Sequence, residues 1–201
     1  MNAISTTQQH PRAKEAAQPA QKPAEKRMSL SKVRSGKLPS TARVLIYGTE
    51  GVGKSTFGAD APNPIFLCVE GGTNNLDVDR LPQPQRWSEV QEAVDELIKE
   101  GHDYKTFVID TIDALDGLIF RHVIASASIG SNGARPSTID EVGGGFGKGH
   151  NAALDCLSAF LRKLEILQSQ RQLHVVLIGH AAVKTIKNPE GDDYDMYMVK
   201  M

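Results

Sequence analysis

The sequence predicts an α/β domain built on a mostly parallel sheet with helices on both sides. Four short segments are apolar at nearly every position, which is typical of strands buried on both faces; they are 43–47, 65–69, 106–109 and 173–178. The segments between them repeat apolar residues with the 3.6-residue period of a helix. Alternation of the two patterns with short connections predicts right-handed strand–helix–strand crossovers.

Three long helices are predicted in order along the chain, at 88–100, 113–126 and 151–170. In the first of them Ser88 and Gln91 have the spacing of a capping box, and Gly101 supplies a stop signal. A shorter helix is predicted to begin near Lys54, directly after a glycine-rich turn.

Charge divides the chain into two parts. Residues 1–38 contain eight Lys or Arg against two Glu, whereas the remainder contains 15 basic and 22 acidic residues, and the formal net charge is −1. We therefore expect a disordered basic tail at 1–38 and one folded domain at 39–201. Two roles are possible for the tail, a solubilising leader or an electrostatic arm that binds nucleic acid, and the leader is favoured. The acidic charge of the domain excludes a generally basic coat protein of nucleic acid.

Cysteine usage and hydropathy exclude two further classes. Cys68 and Cys156 are both predicted to be small buried residues, since two such cysteines form neither a disulfide framework nor a metal cluster of usual spacing. The longest apolar stretch, around 175–183, is too short to span a bilayer, and the polar N-terminus has no signal-peptide core. We therefore expect a cytoplasmic protein with no membrane partner.

Residues 48–55 match the phosphate-loop pattern G-x-x-x-x-G-K-[ST] between a predicted strand and a predicted helix. Glycines allow successive backbone amides to turn toward a phosphate, the lysine reaches the β- and γ-phosphates, and the serine hydroxyl can bind Mg²⁺. Nucleotide binding is favoured over a merely structural turn. The predicted nucleotide-binding residues are Gly48, Thr49, Glu50, Gly51, Val52, Gly53, Lys54, Ser55 and Thr56.

Two carboxylates follow predicted strands. Asp110 ends the third strand, where it can serve with Ser55 at a magnesium site; the alternative is that it caps the next helix, a role more fitting for Asp113. Glu70 ends the second strand before two glycines, at the sheet edge where α/β proteins bind ligands. We predict that Glu70 prepares the attacking water, the alternative being a solvated strand-end residue.

His180 follows the fourth strand and should emerge at the same edge of the sheet. An imidazole there can sense a γ-phosphate, although a purely structural histidine is nearly as well supported. We include it with Glu70 and Lys54 among the predicted catalytic residues.

An ordered set of segments resembles the RecA-like core of P-loop ATPases, and among these the phage-encoded AAA-type nucleotide-binding proteins related to Sak single-strand annealing recombinases. The resemblance extends from about residue 40 to the end of the chain, and it is carried by LIYGTEGVGKSTFGADAPNPIFL, VEGGTNNLDVDRLP, WSEVQEAVDEL, YKTFVIDTIDAL, GFGKGH and LIGHAAVKTIKNPEGDDYDMY. It implies ATP and Mg²⁺ as cofactors, Glu70 as the catalytic glutamate, Asp110 as the second metal-site acid and His180 as the γ-phosphate sensor.

The resemblance also implies two loops that face single-stranded DNA, at 130–150 and 183–197. Phe146 and Lys148 suit stacking on a base and contact with a phosphate, and the alternative is a merely flexible glycine loop. Lys184 and Lys187 are candidates for DNA contact or for a trans finger, but the acidic residues after them favour an internally compensated loop.

The sequence as a whole predicts a Mg²⁺-dependent ATPase of a phage that acts on single-stranded DNA in recombination or annealing. Implied partners are further copies of the chain and a single-strand DNA-binding protein. RecA-like cores continue with further strands, so we expect a fragment or a shortened relative that is truncated at the C-terminus. The rival is a nucleotide-dependent interaction module, or a packaging or replication accessory, that does not bind DNA. A GTPase and a small-metabolite kinase are disfavoured, because no N/T-K-x-D motif and no paired-arginine lid are present.

Overall fold

A computed structural model describes residues 30, 33, 35–36, 40–129 and 133–200. The chain divides into two units, 1–38 and 39–201, and all helices and strands given below lie in the second unit. The predicted disordered tail therefore lies almost entirely outside the described residues. The second unit contains the following elements in chain order: β1 (Arg43–Gly48), α1 (Lys54–Ala59), β2 (Pro64–Cys68), β3 (Asp79–Arg80), α2 (Trp87–Lys99), β4 (Thr106–Asp110), α3 (Ile112–Ser126), a 3₁₀ helix (Ile139–Gly144), α4 (Lys148–Arg171), β5 (His174–Ile186) and β6 (Tyr194–Val199).

The strands form one sheet in the order β1-β5-β4-β2-β3, and all of these pairs are parallel. Among the strands that the structure describes, β6 alone is antiparallel; it pairs with the second half of β5. This arrangement confirms the predicted α/β class with a mostly parallel sheet flanked by helices. Among the described residues, no helix is long and apolar enough to cross a membrane.

Apolar side chains from the sheet pack on both of its faces. On one face, residues of β2, β4 and β5 form a large core with α2, α3 and α4, in which Trp87 and Phe160 meet edge to face with ring centroids 5.2 Å apart. On the other face, Phe66, Val108 and Ile178 belong to a smaller core. The helix α1 packs closely against this smaller core, since a Cβ at Gly58 would lie 3.0 to 3.4 Å from these three side chains.

The outer strand β1 is less covered than predicted. Leu45 and Tyr47 are about half exposed, although the segment is as apolar as the other strands. Among the described strands, β1 pairs with β5 alone. Exposure alternates along β1, so that Leu45 and Tyr47 share an uncovered face, whereas Ile46 on the other face packs against the smaller core. The prediction that all four strands are buried on both faces is therefore wrong for β1.

The start of α2 also differs from the prediction. The helix begins at Trp87 with Arg86 as its N-cap, two residues before the predicted cap at Ser88. The Glu89 carboxylate accepts hydrogen bonds from the backbone N–H groups of Gln85 and Arg86, at 2.7 and 3.3 Å. The predicted capping box of Ser88 and Gln91 is wrong because the carboxylate of Glu89 reaches the free amides instead.

Both predicted DNA-facing loops contain regular structure. Within 130–150, the 3₁₀ helix precedes α4, and α4 already begins at Lys148. Residues 183–197 are the greater part of a β-hairpin, since β5 continues through Ile186 and β6 returns antiparallel to it. The expectation of an irregular loop after His180 is therefore wrong, because cross-strand pairs such as Thr185 and Asp195, joined by a 2.7 Å hydrogen bond, hold this segment as a ribbon.

Gly149 allows the 3₁₀ helix and the first turn of α4 to touch through their backbones. A Cβ at this position would lie 2.0 Å from the carbonyl oxygen of Ile139 and 3.0 Å from the Cβ of Val142. Backbone atoms this close cannot be accommodated by a side-chain rotation, so any larger residue must separate the two elements.

Substitution Gly149→Ala is expected to lower the free energy of unfolding by about 1–3 kcal/mol, the usual cost of overpacking. Gly101→Ala is the matched control, because a Cβ there meets nothing within 4 Å, and it should stay within about 0.5 kcal/mol of the wild type. Urea unfolding monitored by circular dichroism measures both. Equal stabilities of the two variants would contradict the close backbone contact.

Candidate active site

The parallel register brings the ends of three strands to one edge of the sheet. Gly48 at the end of β1 pairs with His180 of β5, and Asp110 at the end of β4 pairs with Ile178 of β5. The chain after β2 is fixed to the same place, because the backbone N–H of Val69 donates to the carbonyl oxygen of Asp110 at 2.7 Å. Strand pairing therefore gathers the predicted site residues before any side chain interacts.

The phosphate loop lies between β1 and α1. Gly51 and Gly53 have φ angles of 77° and 91°, which only glycine adopts without strain. The Lys54 ammonium donates to the carbonyl oxygens of Gly48 and Thr49, at 3.0 and 2.8 Å. Lys54 is thus folded back over its own loop, with its charge beside the backbone that would surround a phosphate.

Most of the other loop residues are open to solvent. Exposed residues include Thr49, Glu50, Gly51, Val52 and Gly53, and Thr56 is exposed on α1. Of the predicted nucleotide-binding residues, Val52, Gly53 and Thr56 line neither of the two cavities described below.

Ser55 and Asp110 meet across the gap between α1 and β4. The Ser55 hydroxyl donates to Oδ2 of Asp110 at 2.6 Å, and Asp110 is only 7% exposed. Burial raises the pKa of the Asp110 carboxyl; the nearby Glu70 adds to this rise in pKa, and the Ser55 hydrogen bond opposes it. A hydroxyl and a carboxylate oxygen at this separation fit the hard oxygen ligands that Mg²⁺ prefers.

Glu70 lies just beyond β2 with its side chain 42% exposed. Its Oε1 accepts a hydrogen bond from the Thr111 hydroxyl at 2.5 Å, and Thr111 immediately follows Asp110 after a cis peptide bond. The bond to Thr111 holds one carboxylate oxygen and leaves Oε2 available to a water molecule.

His180 is bound by Asp113, which the sequence indicated only as a helix-start residue. Asp113 does lie in the first turn of α3, and its Oδ1 accepts from the backbone N–H of His180 at 3.0 Å. Its Oδ2 lies 2.8 Å from Nδ1 of the same histidine. Burial alone would raise the pKa of the Asp113 carboxyl, but the hydrogen bonds from the His180 side chain and backbone outweigh it and lower that pKa.

Glu70, Asp113 and His180 form a compact cluster in which the ligand-type atoms all lie within 4.8 Å of one another. The Nδ1 atom of His180 is 3.9 Å from Oε1 of Glu70. Because Asp113 already engages Nδ1 and Thr111 already engages Oε1, we interpret this cluster as a hydrogen-bonded network and not as a metal site.

Two cavities adjoin at this edge of the sheet. One, of about 430 Å³, is lined by the phosphate loop, Ser55, Asp110, Thr111 and the segment 70–73. The other, of about 530 Å³, is lined by the loop residues 48–50, Asp113 and Lys200, among others. Glu50, Glu70 and His180 line both cavities, so these three side chains stand between the two spaces.

Three residues of this region were not found from the sequence: Thr111, Asp113 and Lys200. Lys200 follows β6, and its backbone N–H donates to the carbonyl oxygen of His180 at 2.9 Å. Asp113 carried a usable signal, an acidic residue one turn after the strand-end Asp110, but the signal is equally typical of a helix start. Lys200 carried none, since only the hairpin returns it to the site.

The predicted DNA contacts lie elsewhere, and none of them lines either cavity. Phe146 is 98% exposed, while the Lys148 ammonium donates to the carbonyl oxygen of Gly143 at 3.0 Å. Lys184 is exposed on β5. Lys187 is paired with Asp193 at 2.6 Å, as expected for an internally compensated segment.

A glycine-rich phosphate loop between β1 and α1, with a lysine and a serine facing a buried strand-end aspartate, defines a P-loop domain of RecA-like α/β type. A family model described as an AAA domain matches residues 40–201, and the chain belongs to this family. Membership indicates a nucleotide-binding ATPase. A search of curated proteins finds no match.

The buried Asp110 carboxylate should make metal-free stability depend on pH. Because the folded-state pKa of Asp110 is raised, the folded protein binds this proton more readily than the unfolded chain, and the associated stability is lost as pH rises through the folded pKa. Asp110→Asn removes the charge and keeps an oxygen that can accept from Ser55.

In EDTA, Asp110→Asn should therefore gain stability relative to the wild type as pH is raised from about 4 to about 7. The free energy of unfolding in urea measures the difference, and Asp155→Asn, at an exposed position of α4, is the control. A difference that is the same at both pH values would contradict a raised pKa at Asp110.

Proposed function

We propose that the protein is a Mg²⁺-dependent ATPase whose reaction takes place at the cavity between the phosphate loop and the end of β4. The observation that carries this proposal is the Ser55–Asp110 hydrogen bond, which places a hydroxyl and a buried carboxylate beside Lys54 and Glu70. A loop that bound no nucleotide would have no need to bury a carboxylate here, since burial of a charge costs free energy.

The phosphates would be held by the loop amides of 49–54 and by Lys54. The Lys54 ammonium now donates to two carbonyl oxygens and would exchange these bonds for oxygens of the β- and γ-phosphates. Ser55 and Asp110 are the residues that would hold Mg²⁺, which when bound neutralises charge on the phosphate oxygens.

Glu70 would prepare the attacking water. Thr111 holds Oε1, so that Oε2 can accept the proton of a water molecule as its oxygen forms a bond to the γ-phosphorus. The bond from this phosphorus to the β–γ bridging oxygen breaks in the same displacement, and ADP leaves with that oxygen. His180, 3.9 Å from Glu70, would contact the transferred phosphate.

We further propose that hydrolysis is coupled to single-stranded DNA, in recombination or annealing within a phage infection. Phe146 supports this because its ring is almost fully exposed on a backbone with a positive φ of 56°, two residues before Lys148. Exposed aromatic rings beside cations are the usual stacking platforms for single strands. Tyr194 and Tyr197 on β6 offer two further exposed rings.

Substitution Glu70→Gln should lower kcat by about 10²- to 10⁴-fold while ATP affinity stays near that of the wild type, since the amide cannot accept the proton. Lys54→Ala should instead weaken ATP binding by about 10- to 100-fold through loss of a charge-assisted contact. Phosphate release and calorimetric titration measure the two effects, with Glu92→Gln on α2 as the control. Full activity in Glu70→Gln would assign the base elsewhere.

The double substitution of Phe146→Ala and Lys148→Ala should remove binding of a poly-dT strand at low salt and leave ATP binding intact. A matched control removes one exposed apolar side chain and one exposed lysine elsewhere, Ile129→Ala with Lys99→Ala. Filter binding with and without ATP, at two salt concentrations, gives the affinities. If the wild type binds no single strand, the proposal of DNA coupling is overturned in favour of a nucleotide-dependent interaction module or a packaging or replication accessory.

A further inference from the structure

We propose that Asp113 is a positioning residue that fixes the His180 imidazole with Nδ1 protonated toward α3, so that Nε2 is the atom presented to the terminal phosphate of ATP. This inference rests on the proposed function, because it assigns a mode of triphosphate recognition to the same site. It makes the preference for ATP over ADP depend on a carboxylate that does not itself touch the nucleotide.

The geometry of the Asp113 carboxylate is the first support. Both of its oxygens form hydrogen bonds with His180: Oδ1 accepts from the backbone N–H, and Oδ2 pairs with Nδ1 of the imidazole. One carboxylate therefore fixes both the backbone and the ring of His180. The Asp113 side chain is 7% exposed, so water competes little for these bonds.

The chemistry of the donors and acceptors gives the second step. An ionised carboxylate can only accept hydrogen bonds, so the proton between Asp113 and His180 belongs to Nδ1. A neutral imidazole in this tautomer has a lone pair at Nε2, which repels a phosphate oxygen. The imidazolium carries a proton at Nε2 and donates to that oxygen. Contact between His180 and the γ-phosphate thus requires the doubly protonated ring.

Carboxylates outnumber ammonium groups on the cavity walls beside His180. Four acidic residues line the two cavities that His180 also lines. They are Glu50 in the phosphate loop, Glu70 after β2, Asp110 at the end of β4 and Asp113 in α3. The cations on the same cavity walls are Lys54 from α1 and Lys200 from the end of β6. The γ-phosphate would add further negative charge beside the ring, which ADP does not supply.

A rival role for His180, that of a general base, uses the same hydrogen bonds but predicts the opposite dependence of activity on pH. With Nδ1 bound to Asp113, a neutral His180 could accept a proton from water at Nε2, as a general base does. The catalytic rate would then rise with pH, whereas a donor to the γ-phosphate loses its contribution as pH rises. A purely structural Asp113 would affect stability alone and leave both pH profiles unchanged.

The first experiment observes the tautomer of His180 in the nucleotide-free full chain. Long-range ¹H–¹⁵N correlation spectra of ¹⁵N-histidine-labelled protein, assigned with His180→Gln, should show the Nδ1–H form at about pH 8.5, the less common tautomer of free histidine. Asp113→Ala should return the ring to the Nε2–H form, and Asp116→Ala, one turn along α3, should not. An Nε2–H ring in the wild type would overturn the positioning of His180 by Asp113.

The second experiment measures affinities for Mg·ATP and Mg·ADP by calorimetry across about pH 6 to 9. In the wild type the ATP-to-ADP affinity ratio should fall as pH rises. Asp113→Ala should reduce that ratio by about tenfold at the low end of the range, the value of one hydrogen bond to a charged group. Asp116→Ala should retain the wild-type ratio and profile.

The substitution Asp113→Asn removes the charge of this residue and keeps its shape. It also provides a test if the Asp113→Ala variant does not fold. The amide has one acceptor oxygen for the two N–H groups of His180 and turns its NH2 toward the other, so both the Nδ1–H preference and the ATP preference should decline. An unchanged ATP-to-ADP ratio in both Asp113 variants would overturn the inference. If the wild type binds no ATP, the proposed function fails, and the tautomer spectra still decide whether Asp113 positions His180.

Discussion

The placement of β5 between β1 and β4 is the constraint on which the candidate site depends. Parallel pairing on both sides of β5 sets Gly48 beside His180 and Asp110 beside Ile178. A slip of one residue in either pairing would move these groups by about 3.3 Å and turn side chains to the opposite face. The 2.6 Å bond between Ser55 and Asp110 could not survive that displacement. Packing of the buried strands therefore specifies the position of polar groups that contribute nothing to the core.

The sequence predicted those parts of the molecule that local pattern determines. The central strands are apolar on both faces because helices cover both sides of the sheet, so each could be recognised without knowledge of its neighbours. The phosphate loop could be found because its chemistry requires glycines, a lysine and a serine at fixed spacing. Asp110 and Glu70 were identified by their predicted position at strand ends; in the structure Asp110 ends β4, and Glu70 lies two residues beyond β2.

Features that arise from pairing between distant segments were missed. Asp113 and His180 are 67 residues apart, and an aspartate at a helix start is so common that its sequence context does not indicate a histidine partner. The sequence predicts a loop where β5 and β6 form a hairpin, because the turn between them is rich in Pro, Gly and Asp and the two strands lack a strict alternation of apolar and polar residues. A strand that is buried on both faces and a strand that is buried on one face can have equally apolar sequences. The exposure of one face of β1 could therefore not be predicted.

The strand β5 belongs to two different pieces of structure along its 13 residues. Its first part lies inside the parallel sheet, and its second part forms a ribbon with β6 that extends about 20 Å beyond His180 at the rise of an extended chain. The ribbon returns at Lys200, whose amide bonds the carbonyl of His180, so both strands of the ribbon are anchored at the same point. Because the ribbon is fixed at its base, a rotation of a few degrees at His180 would displace the turn near Gly191 by about an ångström or more. A flexible loop would not transmit such a rotation to its tip.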